Sequence, residues 1–216
     1  EMCIRDSTPI MRKIAIKFGA VDAPNMARKV QKEPVPYLGG VAIVIGVFVA
    51  TYTTVIIKEK DVALASTVLI PALLMSVMGL VDDLRGLKPW PRLIAQSAVG
   101  INVAGILIAT DTIGTPSQVF LIDAVVTTIW IVGVCNSINF FDNLDGGAAG
   151  TVVVISFFTF LIAYDRGQLM ISALSIVTAG ATAGFLIWNR PPAKIYMGDA
   201  GALFLGIIVA VLTIRL

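Results

Sequence analysis

Long apolar runs separated by short polar stretches recur along the whole chain. They fall at about 37–57, 62–81, 92–109, 119–135, 148–164 and 169–188, with a shorter one at 202–216. A bilayer core of roughly 30 Å takes about 20 helical residues, so each full run reads as a membrane span. The pattern predicts an all-α, polytopic transmembrane bundle with about seven spans. Ahead of them, residues 9–19 carry Arg12, Lys13 and Lys17 among apolar positions and read as the inner end of a further helix. Pro24, Pro34 and Pro36 break the polar stretch that follows. Residues 1–7 match no neighbouring pattern and read as a non-native or disordered leader. Residues 8–216 read as one membrane-embedded domain, truncated at both ends and belonging to a longer protein.

Composition narrows the chemistry. Apolar residues make up 57% of the chain and charged residues 14%, with a mean hydropathy of +0.90, which excludes an ordinary soluble domain. A formal charge of +2 gives no footing for nucleic acid. There is no histidine, so the usual zinc sites and every Ser/His or Cys/His mechanism are excluded. Carboxylates, amides, hydroxyls, amines and a hard metal ion remain. Cys3 and Cys135 lie far apart in unlike contexts, and Cys135 reads as a small apolar filler. No secretory signal pattern is present.

Counting sides places the loops 21–36, 82–91, 136–147 and 189–201 on one face. That face holds Arg12, Lys13, Lys17, Arg28, Lys29, Lys32, Arg85, Lys88, Arg92, Arg190 and Lys194, against Lys58, Lys60 and Arg166 on the other. The excess of cations makes it the cytoplasmic face. It also holds Asp82, Asp83, Asp142, Asp145 and Asp199. Asp123, near the start of the fourth span, stands apart with no role to assign.

Four polar clusters on that face carry candidate chemistry. Asp82 and Asp83 close the second span in G-L-V-D-D-L-R-G-L. Two acids oppose the dipole at a helix C-terminus and repel each other unless a cation or shared proton lies between them; the alternative is a solvated helix end. Asn136, Asn139, Asp142 and Asp145 follow at intervals of three in N-S-I-N-F-F-D-N-L-D-G-G. If the helix continues past Cys135 they form one curved wall; the alternative is an Asn/Asp-rich turn reversing at Gly146-Gly147. Asp199 lies between Gly198 and Gly201 before the last span, in N-R-P-P-A-K-I-Y-M-G-D-A-G. The glycines allow close approach of a ligand, and the next helix offers N–H groups to a phosphate; Asp199 as helix N-cap is the plainer reading. In R-K-V-Q-K-E-P-V-P-Y-L-G-G, the cations Arg28, Lys29 and Lys32 either anchor the first span or hold a diphosphate or lipid head group. Gly180 and Gly184 read as a helix-packing pair, and Trp90 and Trp188 as interfacial anchors. Carboxylates from three loops, with amides and cations nearby, suit a magnesium-bound diphosphate. A transporter with a carboxylate ion path is the rival of another class, but its acids belong near the bilayer midplane rather than at span ends.

The motifs V-D-A-P-N, P-V-P-Y-L-G-G, G-L-V-D-D-L, N-S-I-N-F-F-D-N-L-D-G and P-A-K-I-Y-M-G-D-A-G together resemble the polyprenyl-phosphate N-acetylhexosamine-1-phosphate transferases, glycosyltransferase family 4. Their forms look most like the bacterial undecaprenyl-phosphate GlcNAc-1-phosphate transferases, and less like the phospho-MurNAc-pentapeptide transferases of peptidoglycan synthesis. The resemblance implies a protein of about ten or eleven spans in the bacterial plasma membrane, with its active site facing the cytoplasm. The implied reaction moves a HexNAc-1-phosphate, GlcNAc-1-phosphate first, from a UDP-sugar to undecaprenyl phosphate with release of UMP. It opens cell-envelope polysaccharide or teichoic-acid synthesis. By position, the resemblance makes Asp199 the Mg²⁺ ligand (Mn²⁺ being the alternative ion) and Asp82 and Asp83 the catalytic pair. It makes Asn136, Asn139, Asp142, Asp145 and Tyr196 substrate-binding, with Tyr196 where the family stacks an aromatic on uracil; Lys32 of the basic first loop is the substrate-binding candidate read from its charge. A homodimer is also implied. Departures are Gln31 where the family often has His, and Asn143 and Gly147 within the usual D-G-L-D-G-L.

Overall fold

The computed structural model describes residues 2–17, 21–22, 34–57, 62–110 and 116–216. Among them the elements run α1 (Met2–Lys17), β1 (Val21–Asp22), β2 (Val35–Pro36), α2 (Gly39–Ile57), α3 (Val62–Arg85), α4 (Pro89–Ala109), α5 (Phe120–Phe141), α6 (Gly147–Asp165), α7 (Leu169–Asn189) and α8 (Gly198–Ile214). The protein is an all-α, polytopic membrane protein. The six helices α2 to α7 are each long and apolar enough to cross a bilayer, while α8 is a shorter apolar helix. The spans begin and end close to the positions read from hydropathy. Two run further: α3 continues through Asp82 and Asp83 to Arg85, and α5 continues past Cys135 to Phe141. The α1 helix starts inside the segment read as a leader. β1 and β2 form a two-stranded antiparallel pair, Val21 opposite Pro36, which the proline-broken pattern did not suggest.

The helices are not equivalent. Every residue of α8 from Ala200 to Leu212 is buried, and α8 packs mainly against α3 and α5. It is the centre of the bundle, and α3, α5 and α2 form much of its surround. Cys135 is buried against this helix, as a filler should be, with Gly206 facing it. By contrast α5 exposes Leu121, Val126, Ile129 and Trp130 on its outer side. For a bilayer-embedded helix this is the expected lipid face. Of the glycine pair on α7, Gly184 is buried, while a Cβ placed at Gly180 would meet nothing within 4 Å among the described residues. Trp90 is largely exposed, and Lys194 lies over the Trp188 ring at 5.7 Å.

Backbone hydrogen bonds tie two distant stretches of the chain together at the acid-bearing end of the bundle. Tyr196 N–H donates to the Pro36 carbonyl at 2.7 Å, Gly39 N–H to Tyr196 at 3.0 Å, and Gly40 N–H to Met197 at 2.8 Å. The P-V-P-Y-L-G-G and I-Y-M-G-D stretches, separate in sequence, are thus one hydrogen-bonded unit.

Candidate active site

The start of α8 is where the site is built. Gly198 has a left-handed φ of 74°, which lets the chain turn sharply from the 190–197 loop into the helix. A helix start leaves N–H groups unsatisfied, and here other helices supply the acceptors. Asp142, at the C-cap of α5, accepts from Gly198 N–H at 3.1 Å. Asp83, in the last turn of α3, accepts from Asp199 N–H at 3.0 Å and from Ala200 N–H at 3.1 Å. The cap of α8 is therefore Asp83 from another element, and not Asp199. This overturns the expectation that these N–H groups are open to a phosphate, because carboxylates already fill that position. Gly79, one turn before Asp83, makes the approach possible: a Cβ there would collide with the Asp199 backbone carbonyl.

Asp199 itself is left free to face other side chains. Its Oδ1 accepts from Asn139 Nδ2 at 2.6 Å, and its Oδ2 pairs with Arg92 at 3.0 Å. The same Arg92 nitrogen pairs with Asp82 Oδ2 at 3.0 Å, while Asp82 Oδ1 accepts from Leu87 N–H at 2.7 Å. Asp82 is only 8% exposed, whereas the Asp199 and Arg92 side chains are 26% and 30% exposed, so a ligand can reach the latter two. Asp145 accepts from Ala193 N–H at 2.9 Å, fastening the loop before α8. Asn136 donates to Gln96 at 2.7 Å and to the Val132 carbonyl at 2.8 Å.

The sequence-derived wall and the Asp82–Asp83 pair thus meet at Asp199. Asn136 and Asn139 share one helical face because α5 carries on to Phe141, and Asp142 and Asp145 follow in the turn. Tyr196 is half-buried, its backbone bonded to Pro36 and Gly39. Lys32, with Arg28 and Lys29, lies outside the described residues. Three contributors escaped the sequence reading. Arg92 was counted only as a membrane-side cation. Gln96 is a single amide within an apolar run. Asn189 is buried, and its carboxamide accepts from Gly146 N–H at 3.1 Å and donates to the Ile195 carbonyl at 3.0 Å. Its signal was a polar residue at a span end directly before R-P-P.

Acids outnumber cations in this cluster, with Arg92 as the guanidinium between Asp82 and Asp199. Desolvation raises the Asp142 pKa well above the usual carboxylate range; Asp199, Asp83 and Asp145 add to the rise, and the Gly198 N–H bond opposes it. Such a cluster draws a proton or a cation. Among the described residues no three acidic or thiol side chains converge as a ready metal cage. Mg²⁺ takes one or two carboxylates and completes its shell with water and phosphate oxygens, and Asp199, 26% exposed, is the carboxylate here that such an ion could reach. The oxygen-only donor set is right for such an ion.

The family profile of glycosyl transferase family 4 matches residues 65–216. The chain belongs to this family. It is 36% identical to a probable undecaprenyl-phosphate N-acetylglucosaminyl 1-phosphate transferase of Bacillus subtilis, over 96% of this chain and 58% of that protein. It is 30% identical to the decaprenyl-phosphate N-acetylglucosaminephosphotransferase of Mycolicibacterium smegmatis, over 94% of this chain and 55% of that one. It is also 30% identical to the phospho-N-acetylmuramoyl-pentapeptide-transferase of Streptococcus thermophilus, over 89% of this chain and 62% of the relative. The chain thus spans between half and two thirds of the length of these relatives.

Proposed function

We propose that the protein transfers a HexNAc-1-phosphate from a UDP-sugar to a polyprenyl phosphate and releases UMP, with the site facing the cytoplasm. The observation that carries this reading is the junction at α8: Asp82, Asp83, Asp142 and Asn139 all reach Gly198–Ala200 directly or through Arg92. A chemistry built on diphosphate needs cations next to carboxylates, and this junction supplies both. The relatives' own acceptor and sugar suggest the polyprenyl-phosphate acceptor and the amino sugar. GlcNAc is the first choice of sugar because the relative at 36% identity bears that name, against 30% for the muramoyl-pentapeptide enzyme.

In this reading Asp199 would hold Mg²⁺, which would offset the charge of the donor diphosphate. Arg92, reachable at the same carboxylate, binds a phosphate oxygen. One of the acids Asp82 and Asp83 takes the proton of the lipid phosphate. Asp83 holds two α8 N–H groups, and Asp82 is held by Arg92 and Leu87. The nucleophile is then the acceptor phosphate, and UMP leaves with the electron pair of the broken P–O bond. Asn136, Asn139, Asp142, Asp145 and Tyr196 line the donor side.

The test is UMP release by the complete protein with Mg²⁺ and undecaprenyl phosphate, offering UDP-GlcNAc and UDP-MurNAc-pentapeptide in parallel. Release from the first donor is expected. Release from the second alone would transfer the assignment to peptidoglycan synthesis, and release from neither would sink the reading.

A further inference from the structure

Gln96 lies on α4, one helical turn beyond Arg92, and is only 2% exposed. Its Oε1 accepts from Asn136 Nδ2 at 2.7 Å, and its own Nε2 is buried with no partner among the described residues. The Asn136 nitrogen also donates to the Val132 carbonyl at 2.8 Å. These bonds fix both amides. A carbonyl only accepts, so the Asn136 group beside Val132 is its NH₂. The second proton of that NH₂ faces Gln96, so Gln96 must present oxygen. Both protons are then used, and Asn136 Oδ1 points away from these partners. Asn139, the next residue of the series, is oriented alike: one N–H of its Nδ2 goes to Asp199 at 2.6 Å, which fixes that end as the NH₂. Both asparagines are left with acceptor oxygens for a ligand.

A buried carboxamide with one orphaned end burdens stability. A leucine of similar size would avoid that burden. What glutamine supplies, and leucine cannot, is the acceptor for Asn136. We propose that Gln96 is a positioning residue that locks Asn136 with its carbonyl oxygen towards the sugar nucleotide. The wall then selects a hydrogen-bond donor on the substrate, a hydroxyl or an amide N–H, and leaves the phosphates to Arg92 and the metal. This inference rests on the transferase reading above.

The experiment is a double-mutant cycle in the complete protein, following UMP release at varied UDP-GlcNAc. Gln96→Leu raises KM for the sugar nucleotide by about tenfold while kcat changes by less than about twofold, the mark of lost ground-state binding. In an Asn136→Ala background the same change adds less than about twofold, since the residue it positions is gone. Gln96→Glu, which keeps an oxygen towards Asn136, recovers much of the lost affinity. Heat stability of Gln96→Leu is unchanged or higher, which separates positioning from folding. Equal losses in both backgrounds, or a fall in kcat at constant KM, would overturn the positioning role alone. A wild-type protein that turns over no UDP-sugar would remove the transferase reading and this inference with it.

Discussion

Asp82 and Asp123 are buried to the same degree, 8% exposed each, at opposite ends of the bundle. Asp82 is held by Leu87 N–H and by Arg92, which joins it to Asp199. Among the described residues Asp123 accepts a single N–H, from Ser117 at 3.2 Å, and its other oxygen has no partner. It lines a cavity of about 510 Å³ with Thr127 and Arg215. Burial therefore does not distinguish the two. Convergence does: at one end acids from α3 and α5 address the start of α8, and at the other a lone acid sits beside its own helix. A buried carboxylate marks a reactive centre when neighbours from distant parts of the chain are committed to it.

The sharpest way to break this contrast is Asp199→Ala. It removes the group on which Asn139 and Arg92 meet, and UMP release should fall by about a thousandfold or more, in line with loss of a preorganised charge-stabilising group; Mg²⁺ titration of the remaining activity would check the metal role. Next is Gly198→Ala. A Cβ there meets the Tyr37 carbonyl at 2.6 Å and Asp83 Oδ2 at 2.7 Å, on a backbone with φ of 74°. About 1–3 kcal/mol of strain is expected before the collision is counted, so a lower melting temperature should accompany lost activity.

A third test uses pH. Asp142 has a raised pKa in the folded protein, so folding takes up a proton between its ordinary and raised values. Stability of the ligand-free protein should therefore fall as pH rises through that window. Asp142→Asn should flatten the dependence, measured by thermal unfolding in detergent. The smallest effect is expected from Asp123→Asn, which keeps an acceptor for Ser117. Activity within about twofold of wild type would sharpen the contrast, and a large loss would break it.

Much of this was legible in the sequence. Span positions followed from hydropathy because a bilayer imposes length directly. The acids stood out because charge is expensive next to lipid. What stayed hidden depends on partners rather than on residue type. Both α5 and α8 are apolar almost throughout, yet one faces outward and the other is enclosed; a helix apolar on all sides carries no stripe to tell them apart. Arg92 looked like any membrane-side cation, since only the fold brings Asp82 and Asp199 to it. Gln96 was one amide in an apolar run. Asp83 as the cap of a helix more than a hundred residues away could not be read from local capping rules, which look only at neighbouring positions.

That remote cap bears on how the protein is made. The second and fourth helices of the bundle leave the ribosome well before α8, so Asp83 and Asp142 enter the membrane boundary with none of the N–H groups they later satisfy. Until α8 arrives, the Pro36 carbonyl and the Gly39 and Gly40 amides also wait for their partners in the Tyr196–Met197 stretch. Assembly of the centre is thus deferred to the last described helix, and an unfinished chain carries its acids without the geometry to use them.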